Sequence, residues 1–291
     1  MTATALLHPH VSPRVIERFR KYAEIQIQEN LDQPANCSAV LIFGGDGTLH
    51  RYLPQLSRLQ IPVLVVPLGS GNDFAKGIGV RNQNIALETW KQFCSSGRNV
   101  LQVDLGEVTS CSATTNEAVH HGGLFCCVAG TGMDAAANAR ANRLPPWLKA
   151  HGGYLLAALR SLIAFRAVET SVIADGKGIR RSAFFIAVGN THRYGGGMTI
   201  APRAVPDDGL LDVCFVPRMS KFKLLCWLPT IFFGRHLGLR GVEYFQSPRV
   251  TICTESALDV YADGECIGRT PVAIRVIPKA LRVIAPARIS L

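Results

Sequence analysis

Two glycine-rich segments hold the residue types that could handle a phosphorylated ligand. The first is Leu41-Ile42-Phe43-Gly44-Gly45-Asp46-Gly47-Thr48, an apolar strand running into a glycine turn and then a helical pattern beginning near Leu49. Glycines let the backbone come close to phosphate oxygens, and a helix start offers N–H donors at its positive dipole end. Asp46 is informative because a carboxylate beside phosphates is repelled unless a cation lies between them or it accepts a donor from nucleotide or backbone. That points to the handling of Mg²⁺ and ATP; the plainer alternative is a turn aspartate flanked by glycines. The second segment, Val63 to Ala75, repeats the design with Gly69, Ser70, Gly71, Asn72 and Asp73. Ser70 can donate to phosphate, and Asn72 and Asp73 are good cap residues. Neither segment has the Lys-Ser/Thr ending of a P-loop or the order of a dinucleotide fingerprint.

The surrounding elements must position these turns. Val40 to Phe43 and Val63 to Pro67 read as buried strands, each leading into a helix, which is the alternation of a parallel sheet. Val15 to Ile25 has helical spacing after the Ser12-Pro13 start signal. From about Asp104 the texture changes to successive strands at Leu124–Val128, Thr170–Ile173, Phe184–Val188, Leu211–Val216, Val250–Thr254 and Val272–Val276. Trp147–Phe165 and Lys221–Gly234 are helical interruptions. The expected organisation is a nucleotide-binding α/β lobe followed by a β-rich lobe.

The 291 residues, 48% of them hydrophobic and 18% charged, suit a folded enzyme of about two domains. Lys plus Arg exceed Asp plus Glu by 31 to 21, favouring nucleotides, nucleic acids or anionic membranes as partners. The basic residues lie in small groups without aromatic interleaving, so nucleic acid is not expected. Nine cysteines include no zinc-ligand spacing, and Cys37, Cys126, Cys127, Cys214 and Cys253 read as reduced, buried thiols. Met1 to Pro13 lacks the pattern of a secretion signal, so a cytoplasmic location is expected. Tyr154–Phe165 and Leu224–Phe233 are shorter than the roughly twenty residues of a membrane span. Lys221 to Phe233 with Arg235 has the composition of either a membrane-docking helix or a buried one.

The two turns resemble the GGDGT and PLGTGNDFA motifs of the lipid kinase family that contains diacylglycerol kinases, their bacterial relatives, and sphingosine and ceramide kinases. The first motif is shared with NAD kinases and phosphofructokinases. Asn190, Gly195-Gly196-Gly197-Met198, Ala201-Pro202, Ala204 and Asp208-Gly209-Leu210-Leu211-Asp212-Val213 resemble the second-lobe signature of the bacterial lipid kinases, and Asp263-Gly264-Glu265 resembles the family's D-G-E. His50-Arg51 replaces the family's N-E, and Pro54 predicts a kink in the helix that follows.

The resemblance implies two lobes with the active site between them: an NAD kinase/diacylglycerol kinase-like α/β lobe at 1–103, to which 279–291 return, and a β-sandwich lobe at 104–278. It implies nucleotide contacts from Gly45, Asp46, Gly47, Thr48 and Ser70, with Gly44, Gly69, Gly71, Asn72 and Asp73 in the same segments. It implies a Mg²⁺ site at Asp208 with the carbonyls of Val205 and Leu210, joined by Asp104, and a catalytic base at Asp263 or Glu265. The expected activity is transfer of the terminal phosphate of ATP to a lipid hydroxyl, diacylglycerol above others, with transient contact at the inner membrane surface. Whether the chain forms a homodimer is left open. The alternatives are a soluble NAD kinase-like enzyme and a non-catalytic lipid- or nucleotide-binding protein. The histidines form no metal-binding or nucleophilic group.

Overall fold

The computed structural model describes residues 1–7, 11–31, 37–111, 118–133 and 165–287. The chain divides into two compact units, Met1–Asp104 with Pro278–Leu291, and Leu105–Ile277. No helix among the described residues is long and apolar enough to cross a membrane.

In the first unit the elements are β1 (Thr2–Leu7), α1 (Pro13–Arg20), β2 (Glu24–Gln28), β3 (Ala39–Gly44), α2 (Asp46–Leu59), β4 (Val63–Pro67), α3 (Asp73–Gly77) and α4 (Gln83–Ser96). β2, β1, β3 and β4 pair in that order, all parallel. Every residue of β3 and β4 is buried, which explains their unbroken apolar runs: a parallel sheet covered on both faces has no polar side. Phe19 of α1 meets Phe43 edge to face at 5.1 Å between ring centroids, and the Trp90 indole N–H of α4 donates to the Phe19 carbonyl at 3.2 Å.

The chain leaves this unit within β5 (Val100–Cys111) and returns within β15 (Val272–Ile284). Between them lie β6 (Ala118–Phe125), β7 (Val128–Gly132), β8 (Val168–Ala174), β9 (Lys177–Gly189), β10 (Leu211–Pro217), α5 (Lys221–Ile231), β11 (Glu243–Ser247), β12 (Arg249–Thr254), β13 (Asp259–Ala262) and β14 (Glu265–Arg269). The ladders of this second unit are antiparallel. β9 changes partner along its length, pairing with β8 from Lys177 to Ala183, with β10 from Ala183 onward and with β7 from Phe185 onward. Val108, Phe125, Val172, Ile186, Val213, Phe215, Ile252 and Ile274 belong to its apolar core.

Several expectations from sequence are corrected. The helix expected over Val15–Ile25 stops at Arg20, and Ile25 belongs to the parallel edge strand β2, where it is the buried residue. α2 begins at Asp46 rather than near Leu49, and it runs on through Pro54, which is exposed. The strand expected over Leu124–Val128 is two strands broken at Cys126-Cys127, because the backbone N–H groups there serve a side chain instead of a ladder. None of the nine cysteines is in a disulfide; Cys126, Cys127 and Cys214 are buried, whereas Cys37 and Cys253 are only half-buried. Of the helical stretch expected at 147–165, all but the last residue lies outside the described residues.

Gly106 faces Phe125 across the β5–β6 ladder, and a Cβ placed on it would lie 2.0 Å from that buried ring. Gly106→Ala is expected to cost about 1–3 kcal/mol, the range of an overpacked core. In a Phe125→Leu background the same substitution costs less, and chemical denaturation of the four chains checks the coupling.

Candidate active site

β3 ends at Gly44 and α2 starts at Asp46, so Gly45 alone makes the bend, with extended backbone at the helix N-cap. The N-cap residue Gly45 has no side chain to cap α2, which leaves first-turn N–H groups for another acceptor. The second turn connects β4 to α3. Asn72 folds it upon itself: its Oδ1 accepts the Gly69 N–H at 2.9 Å and its Nδ2 donates to the Gly69 carbonyl at 2.6 Å. Asn72 has φ +54°, a left-handed backbone that asparagine tolerates better than most residues. The Lys76 ammonium donates to the Gly71 carbonyl at 2.6 Å.

The two turns are tied to each other. Asp46 Oδ2 accepts the Asp73 N–H at 2.9 Å and Oδ1 accepts the Phe74 N–H at 3.1 Å. A carboxylate from the first turn thus caps the helix that follows the second, favourable both as charge-assisted hydrogen bonding and at the dipole's positive end. Gly45 and Gly69 also meet backbone to backbone, since a Cβ on Gly69 would lie 2.9 Å from the Gly45 Cα. Packing within the chain accounts for those two glycines.

Gly47 differs. It is exposed, and a Cβ there would meet nothing within 4 Å. Glycine in a helix is about 1 kcal/mol worse than alanine, and no neighbour demands it; a ligand pressed against the helix start would. Thr48 packs its side chain beside Gly44, and Ser70 is exposed in the second turn. The structure therefore brings Gly44, Gly45, Asp46, Gly47 and Thr48 together with Gly69, Asn72 and Asp73, and Ser70 and Gly71 lie in the same turn.

Asp104 is buried, and its Oδ1 accepts the Lys279 N–H at 2.7 Å. It holds the point where the chain re-enters the first unit, a structural task beyond the metal role expected of it.

In the second unit, Asp208 is exposed, and its Oδ1 accepts the Leu210 N–H at 2.9 Å around Gly209. Val205 is exposed in the same segment. Asp212, four residues on, is buried and accepts from the Tyr244 hydroxyl at 2.6 Å and Gln246 Nε2 at 3.3 Å. Burial pushes its carboxyl above the usual carboxylate range, against the pull of those two hydrogen bonds. The Tyr244 hydroxyl, itself pushed up by burial and by Asp212, accepts the Arg203 N–H at 3.2 Å. Arg203, Tyr244 and Asp212 thus bracket the Val205–Leu210 turn from both sides. Sequence reading missed this brace. A lone carboxylate inside the apolar strand Leu211–Val216 was the available signal for Asp212; Tyr244 gave none.

Asp263 and Gly264, at φ +50° and +92°, form the two-residue turn between β13 and β14. The Asp263 carboxylate accepts three backbone N–H groups, from Cys126 at 2.7 Å, Cys127 at 2.9 Å and Val128 at 3.2 Å. Asn190 holds the same segment from its other side, donating through Nδ2 to the Cys126 carbonyl at 3.1 Å and through its N–H to the Cys127 carbonyl at 2.8 Å. Glu265 opens β14, exposed, its carboxylate with no hydrogen-bond partner among the described residues. The two acids of the D-G-E segment therefore have different surroundings: one is built into the backbone, the other faces solvent. Among the described residues, Cys126, Cys127 and Asp263 are the one group of three His, Cys, Asp or Glu side chains that converges within 4.8 Å, so Asp208 and Asp104 belong to no such cluster.

Residues 7–108 match the diacylglycerol kinase catalytic domain family, and residues 127–285 match the YegS C-terminal NAD kinase beta sandwich-like domain. A diacylglycerol kinase of Mycobacterium tuberculosis (strain CDC 1551 / Oshkosh) is 33% identical over 256 residues, covering 85% of this chain and 77% of that protein. A putative diacylglycerol kinase from Bacillus anthracis str. Sterne has a similar structure, with TM-score 0.74 at 20% identity over 98% of this chain and 95% of that one. An NAD kinase from Archaeoglobus fulgidus, solved in complex with ATP, gives TM-score 0.50 at 17% identity over 98% and 93%. The fold is thus shared with diacylglycerol kinases and NAD kinases. The chain belongs to the lipid kinase family of diacylglycerol kinases and their YegS-like relatives.

The contrast among the turn glycines can be measured. Gly47→Ala is expected to raise stability by up to about 1 kcal/mol, the helix preference for alanine, while weakening nucleotide binding. Gly69→Ala is expected to lower stability and binding together. Thermal melts with and without ATP, alongside nucleotide titration, separate the two; equal nucleotide affinity of Gly47→Ala and parent removes the ligand argument.

Proposed function

We propose that this chain transfers the terminal phosphate of ATP to the hydroxyl of a membrane lipid, with diacylglycerol as the best-fitting acceptor, working in the cytoplasm at the inner membrane surface. The observation that carries the reading is the locked pair of glycine turns with Gly47 left open beside an uncapped helix start. Such an arrangement offers fixed backbone donors to phosphate oxygens without having to reorganise. The acceptor assignment is supported by the mycobacterial relative, which is named a diacylglycerol kinase.

Phosphoryl transfer asks the protein mainly to align the reactants and neutralise charge. In this reading, N–H groups of the α2 start and the second turn hold the nucleotide phosphates, and Ser70 and Thr48 add hydroxyl donors. Mg²⁺, when bound, supplies charge neutralisation at the phosphates. Asp208 fits such an ion, since Mg²⁺ is held by one or two carboxylates and keeps several waters. The carbonyls of Val205 and Leu210 complete the proposed set, and the Arg203–Tyr244–Asp212 brace keeps that turn in place. We assign the base to Glu265. Its carboxylate is exposed and uncommitted to the backbone, whereas both oxygens of Asp263 serve backbone N–H groups and set the hairpin from which Glu265 projects.

An NAD kinase-like activity on a soluble dinucleotide is the second reading, favoured by the shared fold. The structural likeness to that group is the weaker one, 0.50 to an NAD kinase and 0.56 to a yeast NADH kinase against 0.74. Labelled ATP offered to a panel of lipid alcohols in mixed micelles, with NAD in a parallel tube, separates them; label on NAD alone overturns the lipid assignment.

Glu265→Gln is expected to cut the single-turnover rate by about 10² or more, the scale of general-base catalysis, with an unchanged melt. Asp263→Asn cannot satisfy three donors with one amide oxygen and is expected to lower stability by about 1–3 kcal/mol, the cost of an unmet buried donor. A Glu265→Gln chain that keeps more than about half the parental rate, well inside the smallest expected effect, moves the base elsewhere. For the metal, Asp208→Ala is expected to shift the Mg²⁺ dependence of turnover to higher concentration, and a titration superimposing on the parent's removes that ligand.

A further inference from the structure

The sequence left α5 between two readings, a core helix and a docking helix. The structure separates its faces. Leu224 and Ile231, seven residues apart, are buried at 0% and 1% exposure. Phe222, Leu225 and Pro229, spaced as i, i+3 and i+7, lie outward, and Phe232 and Phe233 extend the exposed run. Phe222 is 75% exposed and Phe233 77%, with Leu225 and Phe232 both at 46%. Four large apolar side chains so exposed on one short segment call for a partner, because scattered single residues are ordinary but a shared patch is not.

Charge identifies that partner. From Arg218 to Arg240 the chain carries Arg218, Lys221, Lys223, Arg235 and Arg240, all exposed, and no Asp or Glu. A second copy docking symmetrically would bring the same cations face to face. A surface that is apolar inside and anionic at its boundary suits both features, since aromatic rings enter the interface while lysine and arginine meet the headgroups.

The position is also apt. The Thr199 N–H donates to the Ile231 carbonyl at 3.1 Å, the buried His236 ring lies 2.9 Å from the Ile200 carbonyl through Nε2, and Gly234 packs on Pro202. The end of α5 is thus seated on the Thr199–Pro202 segment, which runs directly into the Val205–Leu210 turn. We infer that the outward face of α5, continued through Phe232 and Phe233, is the surface by which this protein docks on an anionic lipid bilayer. The inference deepens the lipid kinase reading and rests on it for its purpose, though docking itself needs no turnover.

Cosedimentation with vesicles of phosphatidylcholine, with and without phosphatidylglycerol and without ATP or lipid alcohol, tests it. The parent is expected to bind the phosphatidylglycerol vesicles and to be released by salt. Phe222→Ser with Phe233→Ser, and separately Lys223→Glu with Arg235→Glu, are expected to weaken binding at least about tenfold while leaving the melt and ATP binding as in the parent. A parent that stays in the supernatant, or both variants pelleting as it does, overturns the inference. So does a parent dimer that both variants convert to monomers with vesicle binding intact, which would give the patch to a second copy. A chain that binds vesicles through these residues yet phosphorylates no lipid alcohol defeats the kinase reading and leaves the docking surface standing.

Discussion

The loops of this protein are held by carboxylates that accept backbone N–H groups from other parts of the chain. Asp46 reaches to Asp73 and Phe74, Asp104 to Lys279, and Asp263 to Cys126, Cys127 and Val128. Each joins segments far apart in sequence, and each supplies a side-chain acceptor to loop backbone N–H groups. A loop built from glycine and short polar residues has little apolar surface to bury, so packing alone would not fix its shape. With these clamps in place the glycine turns become defined surfaces, and the D-G-E hairpin presents its glutamate from one fixed base.

This division of labour changes how aspartates in such motifs are to be read. An acidic residue beside a phosphate-binding turn invites a metal or a catalytic role; the family resemblance implied one for Asp104, Asp208 and Asp263, and Asp46 was expected to contact nucleotide. Asp46, Asp104 and Asp263 accept backbone N–H groups from distant segments, whereas Asp208, which accepts the N–H of nearby Leu210, and Glu265 are exposed. The motif repeats the residue type, but the surroundings decide whether charge is used to shape the chain or offered to a ligand. Asp212 shows a further variant, a buried carboxylate satisfied by a tyrosine and a glutamine.

How much could be read beforehand followed the range of the interaction. Strands β3 and β4, the turns after them and the start of the β-rich region were legible because apolar runs and glycines act over a few neighbours. Edge strand β2 was not, although Glu24-Ile25-Gln26-Ile27-Gln28 alternates polar and apolar, because a run of five residues is short beside the helical pattern before it and pairing with β1 decides its state. The break at Cys126-Cys127 was hidden for a similar reason: its cause, Asp263, lies more than a hundred residues away. The two glycine turns were legible from local pattern, but their contact through Asp46 and Gly45–Gly69 was not. The Tyr244 brace and the roles of Asp46 and Asp104 needed the fold.

The return of β15 to the first unit has a consequence for synthesis. Val283 pairs with Val63 on the open side of β4, the Gln60 amide donates to the Ala280 carbonyl, and the Ala285 N–H donates to the Asn99 carbonyl. A chain emerging from the ribosome therefore exposes one apolar flank of its parallel sheet until the residues around Val283 have been made. Contacts of such long sequence separation form late and leave the nascent edge prone to mispairing. Chaperone demand should persist until that strand has emerged, and premature termination before residue 280 should remove it from the unit that was synthesised first.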